Sequence, residues 1–245
     1  MSQELYTAIS GMVAGMWQQA QIGHNLANAS TVGYKRHRVS LSDFAGLIAA
    51  IQNSQSLPEP GVGVRIFSEQ TDFGQGPLQL TRRQLDLALA GPAFLRVMTP
   101  GGERLSRAGQ LHRDQTGRLL NSEGHAVLGP NGPIEAPPGD LTITEEGDIL
   151  VEGELIDRLA LAELDDPGTS LERVGGTLFA LRDGAEYVEA TQTRVQQGYL
   201  EGANVDLTLE MTNLVAVARM YQMCQRLALA EDDIAKQTAN ELGRV

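Results

Sequence analysis

From Leu5 to Tyr34 the chain carries no Asp, Glu, Lys or Arg, and from Met211 to Ala230 it carries only Arg219 and Arg226. Both stretches have helical spacing. Leu5, Ile9, Met12 and Met16 recur at steps of three and four residues near one end. Leu207, Met211, Leu214, Val217, Tyr221, Cys224, Leu227 and Ala228 do the same near the other. A helix resting on a globular core turns a charged face to water. These two offer Gln, Asn, Ser, Thr, Ala and Gly instead. The pattern predicts helices from Gln3 to Asn28 and from Asp206 to Gln237, covered on most sides by each other and by neighbouring chains.

The first helix has Ser2 as a candidate N-cap. Its Gly11, Gly15 and Gly23 each lower intrinsic helix stability by up to ~1 kcal/mol relative to Ala. A helix this rich in glycine is marginal alone, so packing must order it, and its small residues admit a second backbone closely. Asn25-Leu26-Ala27-Asn28-Ala29-Ser30-Thr31-Val32-Gly33-Tyr34 supplies the residues that close a helix. Asn28-Ala29-Ser30 is formally a glycosylation sequon and carries little weight without a secretory signal. The start of the chain has no basic, apolar and small-residue succession of that kind, so no cleaved signal peptide is expected. It also never reaches the ~18 consecutive apolar residues of a membrane span. Lys35-Arg36-His37-Arg38 reads as a solvated or salt-bridged turn, being too isolated for a nucleic-acid patch.

The net charge of −12 is unevenly spread. Residues 140–210 hold 17 acidic and 4 basic residues, whereas residues 1–139 hold 10 and 11. Such a block repels phosphate backbones and anionic lipid, so neither nucleic acid nor lipid is expected as a partner. The single cysteine, Cys224, excludes an internal disulfide and sits on the apolar stripe as a small hydrophobe.

Between the helices the pattern changes. Residues 35–80 read as an extended linker: a short helix over Leu41–Ile51, a loop over Ser54–Gly63, and an alternating strand over Val62–Phe67. Residues 81–190 show short apolar runs, among them Leu85–Ala90, Phe94–Met98, Ala126–Leu128, Leu141–Ile143, Ile149–Val151, Leu155–Leu164 and Leu178–Leu181. Turn residues separate them, which predicts antiparallel sheets in a sandwich or irregular barrel. Residues 191–203 return the chain, and Asn204 or Asp206 can cap the last helix. The expected fold is α+β. Residues 1–34 and 204–245 form one helical unit, and an antiparallel β-rich domain over residues 81–190 is inserted between them.

No catalytic constellation emerges. His24, His37, His112 and His125 lack zinc-ligand spacing. Asp165-Asp166 and Glu145-Glu146 are adjacent, so on a strand they point to opposite faces. There is no nucleophile elbow or Walker loop, so neither catalysis, cofactor nor metal is expected. Met211, Met220 and Met223 suit a packing surface better than a ligand face.

Three separated motifs carry a resemblance. Asn25-Leu26-Ala27-Asn28 with Thr31, Gly33 and Tyr34 is similar to the N-terminal signature of bacterial flagellar rod and hook proteins. Leu85-Asp86-Leu87-Ala88-Leu89-Ala90-Gly91 resembles their central motif. Leu200-Glu201-Gly202-Ala203-Asn204-Val205-Asp206, followed by Glu210-Met211 and Arg219-Met220-Tyr221, resembles their C-terminal signature. Pro92-Ala93-Phe94-Leu95 and Leu105-Ser106-Arg107-Ala108-Gly109-Gln110-Leu111 depart from the family pattern.

The resemblance implies a structural subunit of the flagellar basal-body rod. It is most similar to the proximal, F-type subunit, with the distal G type as the alternative. It further implies export through the flagellar type III apparatus without a cleaved signal, a place in the periplasm-spanning rod, and partners among rod subunits and adjoining hook–basal-body proteins. The resemblance implies that the terminal helices pair as a coiled-coil-like unit with the β-rich domain outermost, and that they form the assembly interface through Leu5, Ile9, Met12, Met16, Asn25, Leu26, Asn28, Leu214, Val217, Tyr221 and Cys224. A free-standing adaptor whose helices close only on each other, and a carbohydrate-active enzyme using the acidic block, are the competing readings.

Overall fold

The computed structural model describes residues 3–41, 66–190 and 192–242, with side chains except at 3–7, 40–41, 66–69, 235 and 238–242. Ser2, the expected helix over Leu41–Ile51, the loop over Ser54–Gly63 and most of the expected strand over Val62–Phe67 lie outside the described residues. The chain divides into two compact units. One holds residues 1–27, 37–71 and 206–245, and the other residues 28–36 and 72–205.

The first unit contains helix α1 (Gln3–Ala27), the antiparallel pair His37–Leu41 and Ile66–Thr71, and a terminal helix over Leu207–Leu242. At 1.5 Å per residue these helices run about 38 Å and about 54 Å. Asp206 caps the terminal helix, its Oδ1 accepting from the N–H groups of Thr208 (2.9 Å) and Leu209 (3.1 Å). That choice between Asn204 and Asp206 follows from reach, because Asn204 is spent elsewhere.

The two helices meet where side chains are small. A Cβ added at Gly11 would stand 2.9 Å from Cys224 Sγ, and one at Gly15 3.7 Å from Tyr221 Cβ. Contact positions rise along one helix while they fall along the other, so the pair is antiparallel. Ala8, Ala14 and Gly15 are buried. Leu214, Val217, Tyr221, Cys224 and Ala228 are half-buried. Part of the stripe read from sequence therefore turns the other way: Ile9 and Met16 in α1, and Leu207, Met211 and Leu227 in the terminal helix, are exposed. Small residues won the inner face because they allow backbones to approach.

The second unit is β-rich, and every strand pair among the described residues is antiparallel. Its ten-stranded sheet runs in the order Leu171–Gly175, Leu178–Leu181, Gly102–Ser106, Phe94–Thr99, Ala126–Gly129, Leu119–Asn121, Leu111–Arg113. Three further strands attach to it: Gly132–Pro133, Leu161–Glu163 and Val188–Glu189. Leu141–Ile143, Asp148–Val151 and Glu154–Arg158 form a three-stranded sheet. Arg194–Gln197 pairs with Leu87–Ala90, and Tyr199–Glu201 with Leu78–Leu80. A single turn of helix, α2 (Pro167–Ser170), is capped by Asp166. The terminal helix is accordingly α3.

Strand Phe94–Thr99 is buried on both faces at its start, at Phe94 and Leu95. Leu95 and Val97 join Leu87, Leu119, Val127, Ile149 and Val195 in the main core. Phe94 points the other way, into a second cluster with Leu105, Leu171 and Phe179. Phe73 meets Phe94 and Phe179 edge-on, at centroid distances of 5.7 and 5.1 Å. The expected run Leu155–Leu164 breaks into two strands in different sheets, because Leu159 N bonds Gly147 O and Ala160 N bonds Leu128 O between them.

Candidate functional site

Two arrangements stand out: a buried ionic cluster in the β-rich unit, and the outward faces of the helical unit.

The cluster ties together segments far apart in sequence. Glu201, 1% exposed, ends strand Tyr199–Glu201. Its Oε1 accepts from Lys35 Nζ at 2.6 Å and from Gly76 N at 2.8 Å, and its Oε2 accepts from Arg107 Nη1 at 3.2 Å. Its carbonyl accepts from Gly33 N at 2.8 Å. Lys35 Nζ also donates to Gly74 O, and Arg107 Nη2 to Gly91 O. The Arg107 guanidinium lies over the Phe94 ring, 4.8 Å from its centroid. Burial pushes both the Lys35 ammonium and the Arg107 guanidinium down, and the Glu201 carboxylate partly offsets that. Two cations thus share one anion out of water, and hydrogen bonds to Gly74 O, Gly76 N and Gly91 O offset much of the cost of burial, Arg107 Nε alone among the cluster's side-chain polar atoms having no protein partner.

Asn204 reinforces the knot. Its Oδ1 accepts from Arg36 N at 2.7 Å, and its Nδ2 donates to Asp72 O and Gly74 O. Gly33 (φ +69°) is irreplaceable beside it, since a Cβ there would stand 2.4 Å from Ala108 N and Arg107 C. Sequence reasoning read Lys35–Arg38 as a solvated or salt-bridged turn. Lys35 is salt-bridged but fully buried, and no local pattern announces a partner so distant in the chain.

In the helical unit, Asn25 is 1% exposed and clamps the strand that follows. Its Nδ2 donates to His37 O, and its Oδ1 accepts from His37 N. Within residues 28–36 of the β-rich unit, Thr31 Oγ1 donates to Asn28 Oδ1 at 3.2 Å. Met12, Leu26 and Asn28 are half-buried, and the side chain of Leu5 is outside the described residues. Outward from α1 stand Ile9, Val13, Met16 and Trp17, the last 53% exposed. Outward from α3 stand Leu207, Met211, Val215, Met223 and Leu227. No described helix is long and apolar enough to cross a membrane.

The acidic pairs do not assemble into a catalytic dyad. Asp166 caps α2, and Glu145 Oε2 accepts from Arg194 Nη1 at 2.5 Å. Among the described residues no three His, Cys, Asp or Glu side chains converge on a metal position.

Three family models match the chain in order. Flagella basal body rod protein covers residues 5–35, the flagellar hook protein FlgE/F/G D1 domain residues 88–151, and the flagellar basal body rod FlgEFG protein C-terminal region residues 196–242. Each contributes one member of the buried cluster: Lys35, Arg107 and Glu201 respectively. Curated relatives match along their full length. The flagellar basal-body rod protein FlgF of Escherichia coli K12 is 32% identical, over 99% of this chain and 98% of its own. FlgG of Agrobacterium fabrum is 30% identical over 97% and 98%, and FlgG of Bacillus subtilis 29% over 98% and 99%. This chain belongs to the flagellar basal-body rod proteins: it is a structural subunit of the rod and not an enzyme, and it assembles with other rod and hook components.

Proposed function

We propose that the subunit is joined to its neighbours through the terminal helical unit. Leu214, Val217, Tyr221 and Cys224, set against Met12 and the small residues of α1, hold the two helices in a coiled-coil-like pair. Leu5, Ile9 and Met16, with Val13 and Trp17, meet the adjoining subunit. Asn25, Leu26 and Asn28 fix the angle at which α1 leaves its pair. The observation that carries this reading is the exposure of Ile9, Val13, Met16 and Trp17 on a helix with no charged residue from Leu5 to its end. An exposed apolar stripe of that kind marks an interaction surface. The decisive experiment is Val13→Asp and Trp17→Asp in a motile strain. Loss of the chain from purified hook–basal bodies, with the free protein still folded, supports the reading. Normal incorporation sinks it, and a free-standing pair of helices then becomes the better account.

The same reading places the chain in the proximal rod as an F-type subunit, supported by its modest length and by its 32% identity to an FlgF. It reaches that place through the flagellar type III apparatus without losing a signal peptide, and contacts neither lipid nor nucleic acid. The acidic block would face outward there. Subunit order along isolated rods, read by peptide identification after stepwise disassembly, separates the proximal place from the distal one.

A further inference from the structure

The β-rich unit carries one exposed cationic feature that neither its fold nor the helix pair accounts for. Residues 81–86 join strands Leu78–Leu80 and Leu87–Ala90 and end in a turn over Gln84–Leu85, closed by Asp86 N donating to Arg83 O at 3.2 Å. The connection is tied down hard. Thr81 N and Arg82 N both donate to Gly198 O, at 2.8 and 3.0 Å, and Gly198 N donates to Asp86 O at 2.8 Å. Arg82 is held at φ +61°, a left-handed conformation that L side chains rarely adopt. Glu152 is the other described non-glycine with positive φ, and it has an ordinary reason. It precedes Gly153 in the two-residue turn joining Asp148–Val151 to Glu154–Arg158. Arg82 has no such turn to serve, and glycine would suit its backbone better.

The side chains are as unusual as the backbone. Arg82 and Arg83 are both exposed. Among the described residues, every other arginine of residues 72–205 has a hydrogen bond or a close ion pair, from Arg96 on Glu103 to Arg194 on Glu145. Arg82 has neither. Arg83 has only Asp86, whose Oδ2 lies 3.9 Å from its Nε. Asp86 is itself buried, and neither of its carboxylate oxygens accepts a hydrogen bond. A strained, rigid turn that holds out two exposed guanidinium groups, one without a partner and one paired only at 3.9 Å, is a device for meeting carboxylates.

We propose that the Arg82–Arg83 turn docks on the acidic surface of a neighbouring copy of this chain. The occupant follows from charge. Residues 140–210 hold 17 acidic and 4 basic residues, and of the acidic ones only Glu201 and Glu210 are buried, so each copy brings the complement that its neighbour's turn lacks. Packed side by side, bodies with so large an excess of one sign repel. A fixed arginine pair at each contact offsets that repulsion and sets the angle between copies, because a planar guanidinium grips a carboxylate in one geometry. The inference rests on the chain's membership of a rod and is independent of which helix face makes contact.

The test uses the full chain, replaced in its own motile strain, with Val13→Asp carried alongside. Wild type is compared with R82G/R83S, R82E/R83E, R82K/R83K and the single Arg82→Gly. The expected result is at least a tenfold loss of R82E/R83E from purified hook–basal bodies. R82G/R83S should leave those particles at lower salt than wild type, and R82K/R83K should be intermediate. Arg82→Gly should leave the melting temperature of the free chain unchanged or raise it, where a merely structural arginine would lower it. A photo-crosslinker at position 82 should yield a product of two copies, joined within residues 140–210. Wild-type incorporation and salt resistance in R82E/R83E overturn the proposal, as does a crosslink to a different polypeptide. Loss of Val13→Asp with retention of R82E/R83E defeats this inference and leaves the helix reading standing. The converse defeats the helix reading alone.

Discussion

Lys35 Nζ lies 2.6 Å from Glu201 Oε1, across 166 residues of sequence, with both side chains sealed from water. The pair fastens the point where the chain leaves α1 to the point where it approaches α3. Arg107 on the far carboxylate oxygen locks the central β body into the same knot. Removing Glu201 would strand two cations. Glu201→Gln is expected to destabilise the β-rich unit by about 3–5 kcal/mol, whereas Lys35→Met, which leaves a neutral Arg107–Glu201 pair, costs clearly less. Urea titration of the free variants reads this order, and equal effects would refute the two-cation account.

Glycines 33 and 23 lie close in sequence and should respond oppositely. Gly33→Ala puts a Cβ within 2.6 Å of three backbone atoms at φ +69° and is expected to cost about 3 kcal/mol or more. Gly23 is helical with nothing within 4 Å of an added Cβ, so Gly23→Ala should stabilise α1 by roughly 0.5–1 kcal/mol. Thermal melts of the two variants give the comparison.

Helix approach depends on Gly11. Gly11→Leu drives a side chain into Cys224 Sγ, where even a Cβ would be at 2.9 Å. Gly11→Ala should therefore lower the protection of α3 in amide exchange, and Cys224→Ala should restore part of it. A coupling of about 0.5–3 kcal/mol between the two positions is expected from such direct contact. Additive effects would mean that the helices do not touch there.

Acid tests a surface turn. The Asp114 carboxyl is lowered to about 2, first by the hydrogen bond from the Thr116 hydroxyl and then by the N–H groups of Arg118 and Thr116. A carboxyl lowered in the fold binds fewer protons there than in the open chain. Its contribution is full above the usual value of 3.8 and is lost as pH falls through about 2. The Thr116 and Arg118 amide resonances should hold their positions at pH 3.5 and move near pH 2, and a midpoint near 4 would contradict the hydrogen-bonded turn.

The class of fold was legible because its signals are local. Absence of charge marked α1 and α3, and turn residues such as Asp114–Gly117 and Asn121–Gly124 separated the strands. What escaped is non-local. Gly102–Ser106, Leu111–Arg113 and Leu119–Asn121 carry polar or short sequences that become strands only through their partners. Leu155–Leu164 looked continuous because periodicity cannot register a change of sheet. The helix contact went half-unread for a related reason. Hydrophobic spacing favours large side chains, and Ile9 and Met16 face out while Ala8, Ala14 and Gly15 face in. Lys35 looked solvated because nothing nearby in sequence reveals Glu201.

The late position of the closing strands constrains how such a chain comes into being. Leu87–Ala90 pairs with Arg194–Gln197, and Lys35 waits for Glu201. A nascent chain emerging from the ribosome therefore cannot finish its β body until that glutamate is free, and contacts so distant along the chain form slowly. Throughout synthesis Lys35 and Arg107 wait without their carboxylate, and the body closes only when the last of its strands has arrived.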